Sequence, residues 1–147
     1  RQDYKGAYIA VMMKILDNID KGIQPVLFGD GSQQYDFIYV GDVANANICA
    51  MKSETTGQCY NVGRGIGTSI KELSELLLRL TRSKLEIKYE PAGQTFVTNR
   101  VGSIEKAEKE IGFKWSVDLE EGMKRLIEWR KTHKEAVDKK RKAAGAN

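Results

Sequence analysis

From Cys59 the sequence runs CYNVGRGIGTSIKELSELLLRL, and no other stretch restricts the fold as much. Gly63, Gly65 and Gly67 stand at alternate positions after a short apolar run. Directly behind them Ser69 and Glu72 fit an S-x-x-E capping box, and Ile70, Leu73, Leu77 and Leu80 repeat at helical spacing. A strand, a tight glycine turn and an amphipathic helix therefore follow one another, and the helix needs an apolar layer to lie on. The same arrangement suits a dinucleotide pyrophosphate, which is held by N–H groups at a helix N-terminus. Glu86, 23 residues after Gly63, stands near the place of a ribose-binding acid. Against that, the sixth position of the G-x-G-x-x-G/A pattern is Thr68, and Arg64 and Ile66 are bulky. The pattern leaves open both a cofactor cradle and a plain turn.

Residues 6–22 carry Ile9, Met12 or Met13, Leu16 and Ile19 at helical spacing and end in Gly22, which predicts a helix. PVLFG predicts a strand, followed by a polar glycine-containing loop, and YDFIYV predicts a second strand. GDVANANICAMK then reads as a helix, with Asp42 as N-cap and Val43, Ala46 and Ala50 on one face. CYNVG and KLEIKYE predict two more strands, and AGQTFVTNRVG a loop. Ser103 and Gly112 bracket a short helix. Asp118 and Glu121 fit a second capping box at the head of one last helix, with Leu119, Met123, Leu126 and Ile127 facing inward. Alternating helices and strands give an α/β class, with a parallel element expected from FIYV, CYNVG and EIKYE.

Composition narrows the chemistry. The net charge is +4. All of it lies in residues 131–147, a basic tail expected to be helical or disordered, since residues 1–130 balance to zero. Such a tail could touch nucleic acid or an acidic membrane, but it also reads as a solvated, fraying helix end and has no interleaved aromatics to stack bases, so neither partner is expected. Cys49 and Cys59 match neither a C-x-x-C redox motif nor a zinc site, and fit free thiols in a reducing cytoplasm. His133 is the sole histidine, which removes most zinc sites and any Ser-His-Asp triad within the chain. No metal site is expected. The opening RQDYKG, without Met, suggests a fragment.

The stretch FGDGSQQYDFIYVGDV ends a strand in Phe28, turns on Gly29 and Gly31, and sets Gln33, Gln34, Tyr35 and Asp36 at the mouth of the next strand. Such loops beyond strand ends are where open α/β sheets bind ligands. With YNVGRGIGTSIKEL and IEKAEKEIGF…VDLEEGMKRLIEW, this stretch resembles the C-terminal half of NAD-dependent nucleotide-sugar epimerases and dehydratases. These are extended short-chain dehydrogenase/reductase proteins, UDP-glucose 4-epimerase among them. The resemblance runs from Arg1 to about Arg130, in order and spacing.

It implies an α/β fold that is the C-terminal substrate-binding part of an extended SDR, with residues 1–130 as substrate-binding domain. A few strands, YNVG among them, would belong to a missing Rossmann sheet. It implies a nucleotide-diphosphate sugar, a UDP-sugar first, as ligand, with Val26 and Phe28 against the base. Gln33, Tyr35, Asn61 and Arg100 would serve as contacts, with Arg1 and Gln2 at the cleft edge. It also shifts the glycine loop toward turn chemistry, because the family's NAD fingerprint lies in the preceding half. NAD would serve the intact enzyme, and this fragment would bind none by itself. The family's chemistry uses a Tyr with Lys four positions on, and no tyrosine here has one, so no catalytic residue is assigned. The fragment alone is expected to be inactive, and to self-associate where its unpaired strand edge is left open. Where many members carry Arg, this chain has Tyr35, and a second family arginine near Gly93 is absent. Arg100 stands in the same loop to compensate. Many members also have Asp at Ser103. The alternative reading is a stand-alone α/β ligand-binding or protein-interaction module without enzymatic activity.

Overall fold

The computed structural model describes residues 10–92 and 98–143, with side chains described through Lys139. In chain order these residues form α1 (Val11–Asp20), β1 (Val26–Phe28), β2 (Gln34–Tyr35), α2 (Val40–Lys52), β3 (Thr68–Ser69) and α3 (Ile70–Thr81). They continue with β4 (Lys88–Glu90), β5 (Asn99–Arg100), α4 (Glu105–Ile111), α5 (Leu119–Thr132) and α6 (Lys134–Ala143). The class is α/β. Arg1, Gln2, Ile9 and Gly93 lie outside the described residues.

The apolar stripes dictate two cores. Helices α1, α3 and α5 enclose Ile15, Leu16, Leu73, Leu77 and Met123. Helices α2 and α4 enclose Ala46, Ala107, Ile111 and Phe113, with Ile38, Tyr60, Val62 and Trp115 packed around them. The strands are short. β1 pairs in parallel with β4, and β2 pairs antiparallel with β3 and parallel with β5.

The capping box forms as expected. Ser69 Oγ accepts from Glu72 N at 3.1 Å, and the Glu72 carboxylate accepts from Ser69 N at 2.7 Å. Gly112 closes α4 with a left-handed φ of +67°, a conformation that costs glycine nothing.

Several expectations are corrected. YDFIYV is a strand only at Tyr35, because its two neighbours each offer two residues, and residues 36–39 lead directly into α2. The cap of α2 is Tyr39 and not Asp42, whose carboxylate serves elsewhere. Ala50 is exposed. CYNVG is in no strand among the described residues, so FIYV, CYNVG and EIKYE do not form one parallel sheet here. KLEIKYE narrows to Lys88–Glu90, and the loop after Pro91 contains β5. Helix α4 begins after Ile104, one residue later than a Ser103 cap would set it. Asp118 does cap α5, but Glu121 pairs with Arg125 and does not reach back. The last helix is two, broken at His133. Thr132 Oγ1 bonds back to the carbonyls of Glu128 and Trp129, a competition that bends helices.

Candidate functional site

The site builds outward from the turn between β1 and β2. Gly31 has φ of +73°, and a Cβ there would lie 2.8 Å from Leu27 Cδ1, so only glycine fits. Asp30 accepts from Ser32 N at 2.9 Å. The hydroxyl and amide of Ser32 hold its carboxyl below the ordinary range. Across the turn Gln33 Nε2 donates to the Phe28 carbonyl at 3.3 Å. Phe28 itself is 60% exposed at the open end of β1. Two residues on, Tyr35 lies opposite Thr68 on one side and Arg100 on the other. Arg100 is exposed, and Asn61 donates to the Ser103 carbonyl at 3.3 Å, just past β5. Gln33 is thus joined to Phe28 by a hydrogen bond and Tyr35 to Arg100 by strand register, while Asn61 reaches the chain three residues past Arg100. Val26 sits at the opposite end of β1.

The glycine stretch is closed by Asp36, a residue that its position marks as a polar group at a strand mouth but that no local pattern ties to the glycines. The Asp36 carboxylate accepts from Arg64 N at 2.9 Å through both oxygens and from Gly65 N at 2.8 Å. Gly63 has no room for a Cβ, which would press into this carboxylate, and a Cβ on Gly67 would lie 2.5 Å from Gln34 Oε1. Amide N–H groups arranged in this way form an anion-binding concavity. Here the anion is the protein's own. The loop does not fit a dinucleotide pyrophosphate, because Asp36 occupies two of the donors that would hold it.

Arg64 is only 7% exposed. Its guanidinium reaches Thr68 Oγ1 at 3.4 Å and lies 5.8 Å from the Trp115 ring. Nε has no partner, and no ion pair reaches this side chain among the described residues. A guanidinium stays charged at all working pH values, and burying it unpaired is costly. Arg64→Met keeps the stem and removes the charge. We expect it to raise stability by about 1 kcal/mol, measured by urea unfolding, and a lower midpoint would show that the charge is compensated.

An apolar groove of about 730 Å³ opens between α1, residues 36–40 and α5, lined by Met12, Phe37, Tyr39, Met123 and Trp129 among others. None of the predicted ligand contacts lines it. Among the described residues no group of three or more His, Cys, Asp or Glu side chains could hold a metal ion. No helix of the described residues is long and apolar enough to cross a membrane.

Comparison with known proteins fits this geometry. The NAD dependent epimerase/dehydratase family model matches residues 2–63. A putative UDP-glucose 4-epimerase of Methanocaldococcus jannaschii is 37% identical over 133 residues, covering 90% of this chain and 42% of the relative. The UDP-glucose 4-epimerase of Thermotoga maritima, solved with UDP-glucose, superposes with a TM-score of 0.81 at 34% identity. That match covers 90% of this chain and 42% of the solved one. The UDP-N-acetylglucosamine 4-epimerase of Methanobrevibacter ruminantium, solved with UDP-N-acetylmuramic acid, gives a TM-score of 0.82 at 32% identity. There the coverage is 90% and 43%. The chain spans about two fifths of the length of the curated relatives it matches. By sequence and by fold, the chain belongs to the NAD dependent epimerase/dehydratase family and corresponds to the C-terminal part of an extended short-chain dehydrogenase/reductase fold.

Proposed function

We propose that residues 1–130 form the nucleotide-sugar-binding portion of an NAD-dependent, UDP-glucose 4-epimerase-like isomerase, with residues 131–147 as a basic appendage. The observation that carries this reading is the pairing of Tyr35 with Arg100 in strand register, with the Phe28–Gln33 turn before Tyr35 and Asn61 bonded just past Arg100, supported by relatives solved with UDP-sugars. Phe28 supplies an aromatic face for a base, and Val26 extends that strand. Gln33, Tyr35 and Asn61 supply hydrogen bonds, and Arg100 supplies a cation for the diphosphate. Arg1 and Gln2 complete the edge. The chain's own residues bind and orient the substrate in this reading. NAD would supply the hydride chemistry of the intact enzyme, and the proton-transferring pair that the resemblance implies would lie outside this chain. A cytoplasmic location goes with this reading.

Titration with UDP-glucose, followed by NMR of the backbone amides, tests this. Shifts are expected at residues 28–35, 61 and 100, with weak affinity for the isolated chain. Arg100→Ala should weaken binding about tenfold, the effect of one charge-assisted contact. Tyr35→Arg, which adds a second cation on the same strand, should tighten it. Unshifted amides throughout would favour the second reading, a stand-alone binding or interaction module. That reading draws on the absence of a Tyr-x-x-x-Lys pair from this sequence.

A further inference from the structure

Arg64 is a buried cation that lacks an anion. The carboxylate that closes on its loop, Asp36, is committed to the backbone: it accepts from Arg64 N and Gly65 N and makes no bond to the guanidinium. Among the described residues the Arg64 side chain makes one hydrogen bond, from Nη2 to Thr68 Oγ1, and Nε has no partner. A guanidinium offers five N–H donors in one plane, so most of them are unused. The Trp115 ring, 5.8 Å from the central carbon, stacks on a face of that plane and leaves its edges free.

Strand register sets what stands beside this group. Thr68, its partner, is the cross-strand neighbour of Tyr35, and Arg100 is the neighbour of Tyr35 on the other side. Side chains paired across a ladder share one face. Thr68, Tyr35 and Arg100 therefore form a row, with the Arg64 guanidinium bonded at one end and the Arg100 cation at the other. Two strand spacings make this row about 10 Å long.

We infer that Arg64 is the second cation of the proposed ligand site, and that the anion it lacks is a diphosphate group bridging its guanidinium and that of Arg100, with the Tyr35 hydroxyl between them. This rests on the nucleotide-sugar reading and takes it one residue further. A row of that length suits two linked phosphoryl groups, one to each arginine fork, better than a carboxylate or a single phosphate, which one fork satisfies. Asp36 becomes a positioning residue, because holding the amides of Arg64 and Gly65 fixes where the Arg64 stem leaves the backbone. A buried, unpaired cation destabilises the free chain, yet it meets its anion already desolvated and in place. Arg64→Met should therefore bind worse while being more stable, a combination that a purely structural arginine does not give.

Binding of UDP-glucose, inorganic pyrophosphate and uridine is measured by NMR for the chain, for Arg64→Met and for Arg64→Lys. The Arg64 Nε–H signal is assigned by its loss in Arg64→Met. UDP-glucose and pyrophosphate should both shift that signal. Arg64→Met should weaken these two by at least about tenfold and uridine, which has no phosphate, by less than about twofold. Arg64→Lys keeps the charge without the fork and should fall between. Equal UDP-glucose binding by the chain and Arg64→Met would overturn the inference and spare the nucleotide-sugar reading. Loss of uridine binding together with UDP-glucose binding would also overturn it, by marking Arg64 as structural. Pyrophosphate bound at Arg64, with UDP-glucose no tighter and uridine not bound, keeps the anion site and removes the nucleotide-sugar reading. A chain that binds none of the three removes both.

Discussion

Asp42→Ala is expected to destabilise the protein by about 2–3 kcal/mol, because it leaves the buried Val117 amide without its acceptor and removes two further bonds from Ser116. Asp42 is 3% exposed. One carboxylate oxygen accepts from Ser116 N at 3.1 Å and Ser116 Oγ at 2.7 Å, and the other from Val117 N at 3.1 Å. The contact joins α2 to the segment entering α5, across more than seventy residues of sequence. Burial pushes the carboxyl upward. The Ser116 hydroxyl and the amides of Val117 and Ser116 outweigh it, so the group titrates below its ordinary value. The sign of the pH dependence follows. Its contribution to stability is complete above the unfolded carboxyl value and is lost as pH falls through the lower, folded one. Asp42→Asn should therefore lower stability at neutral pH and flatten the acid limb of a stability–pH curve. Urea unfolding between pH 2 and pH 7 checks both effects, and an unchanged acid limb would remove Asp42 from the account.

Gly63→Ala should cost about 3 kcal/mol, at the upper end for one added methyl group. The new Cβ would drive into the Asp36 carboxylate, with Asp36 Cγ at 3.0 Å. Relief requires moving the very group that closes the loop on Arg64 and Gly65. Asp36→Ala empties that space but leaves the two amides without their acceptor. The two changes act on one contact, so their costs should not add. The double variant should be less destabilised than the sum of the singles by at least about 1 kcal/mol. Unfolding midpoints of the four proteins measure this, and strict additivity would refute the clamp.

These two aspartates show what sequence pattern conveys here and what it does not. The Ser69–Glu72 box, the stripe of α3, the glycine end of α4 and the cap of α5 are local relations within four residues. Their physics is complete in the sequence, and the structure agrees. Asp42 looks like a cap because it opens an apolar helical pattern. The backbone turns helical two residues earlier, and the freed carboxylate binds amides distant in sequence. Asp36 stands out by position as a polar group at a strand mouth, but nothing local names its partners, which lie 28 and 29 residues away. Strand lengths were overread for a related reason. Alternation shows which side chains can face a layer but not how many neighbours the sheet supplies, and β2 is limited to two residues by β3 and β5. The placement of Phe28 at a strand end and of Gln33 in the turn is legible from position, while the pairing of Tyr35 with Arg100 needs the fold.

One peptide link separates Tyr35 from Asp36, and that adjacency governs how the molecule can respond to a guest. Any push on the phenol travels through a single rigid amide to the side chain that locks Arg64 and Gly65 in place. On the proposed ligand-binding reading, this wall therefore has little give. It should accept or refuse a molecule by shape on arrival, with selectivity set before the encounter and little reshaping after it.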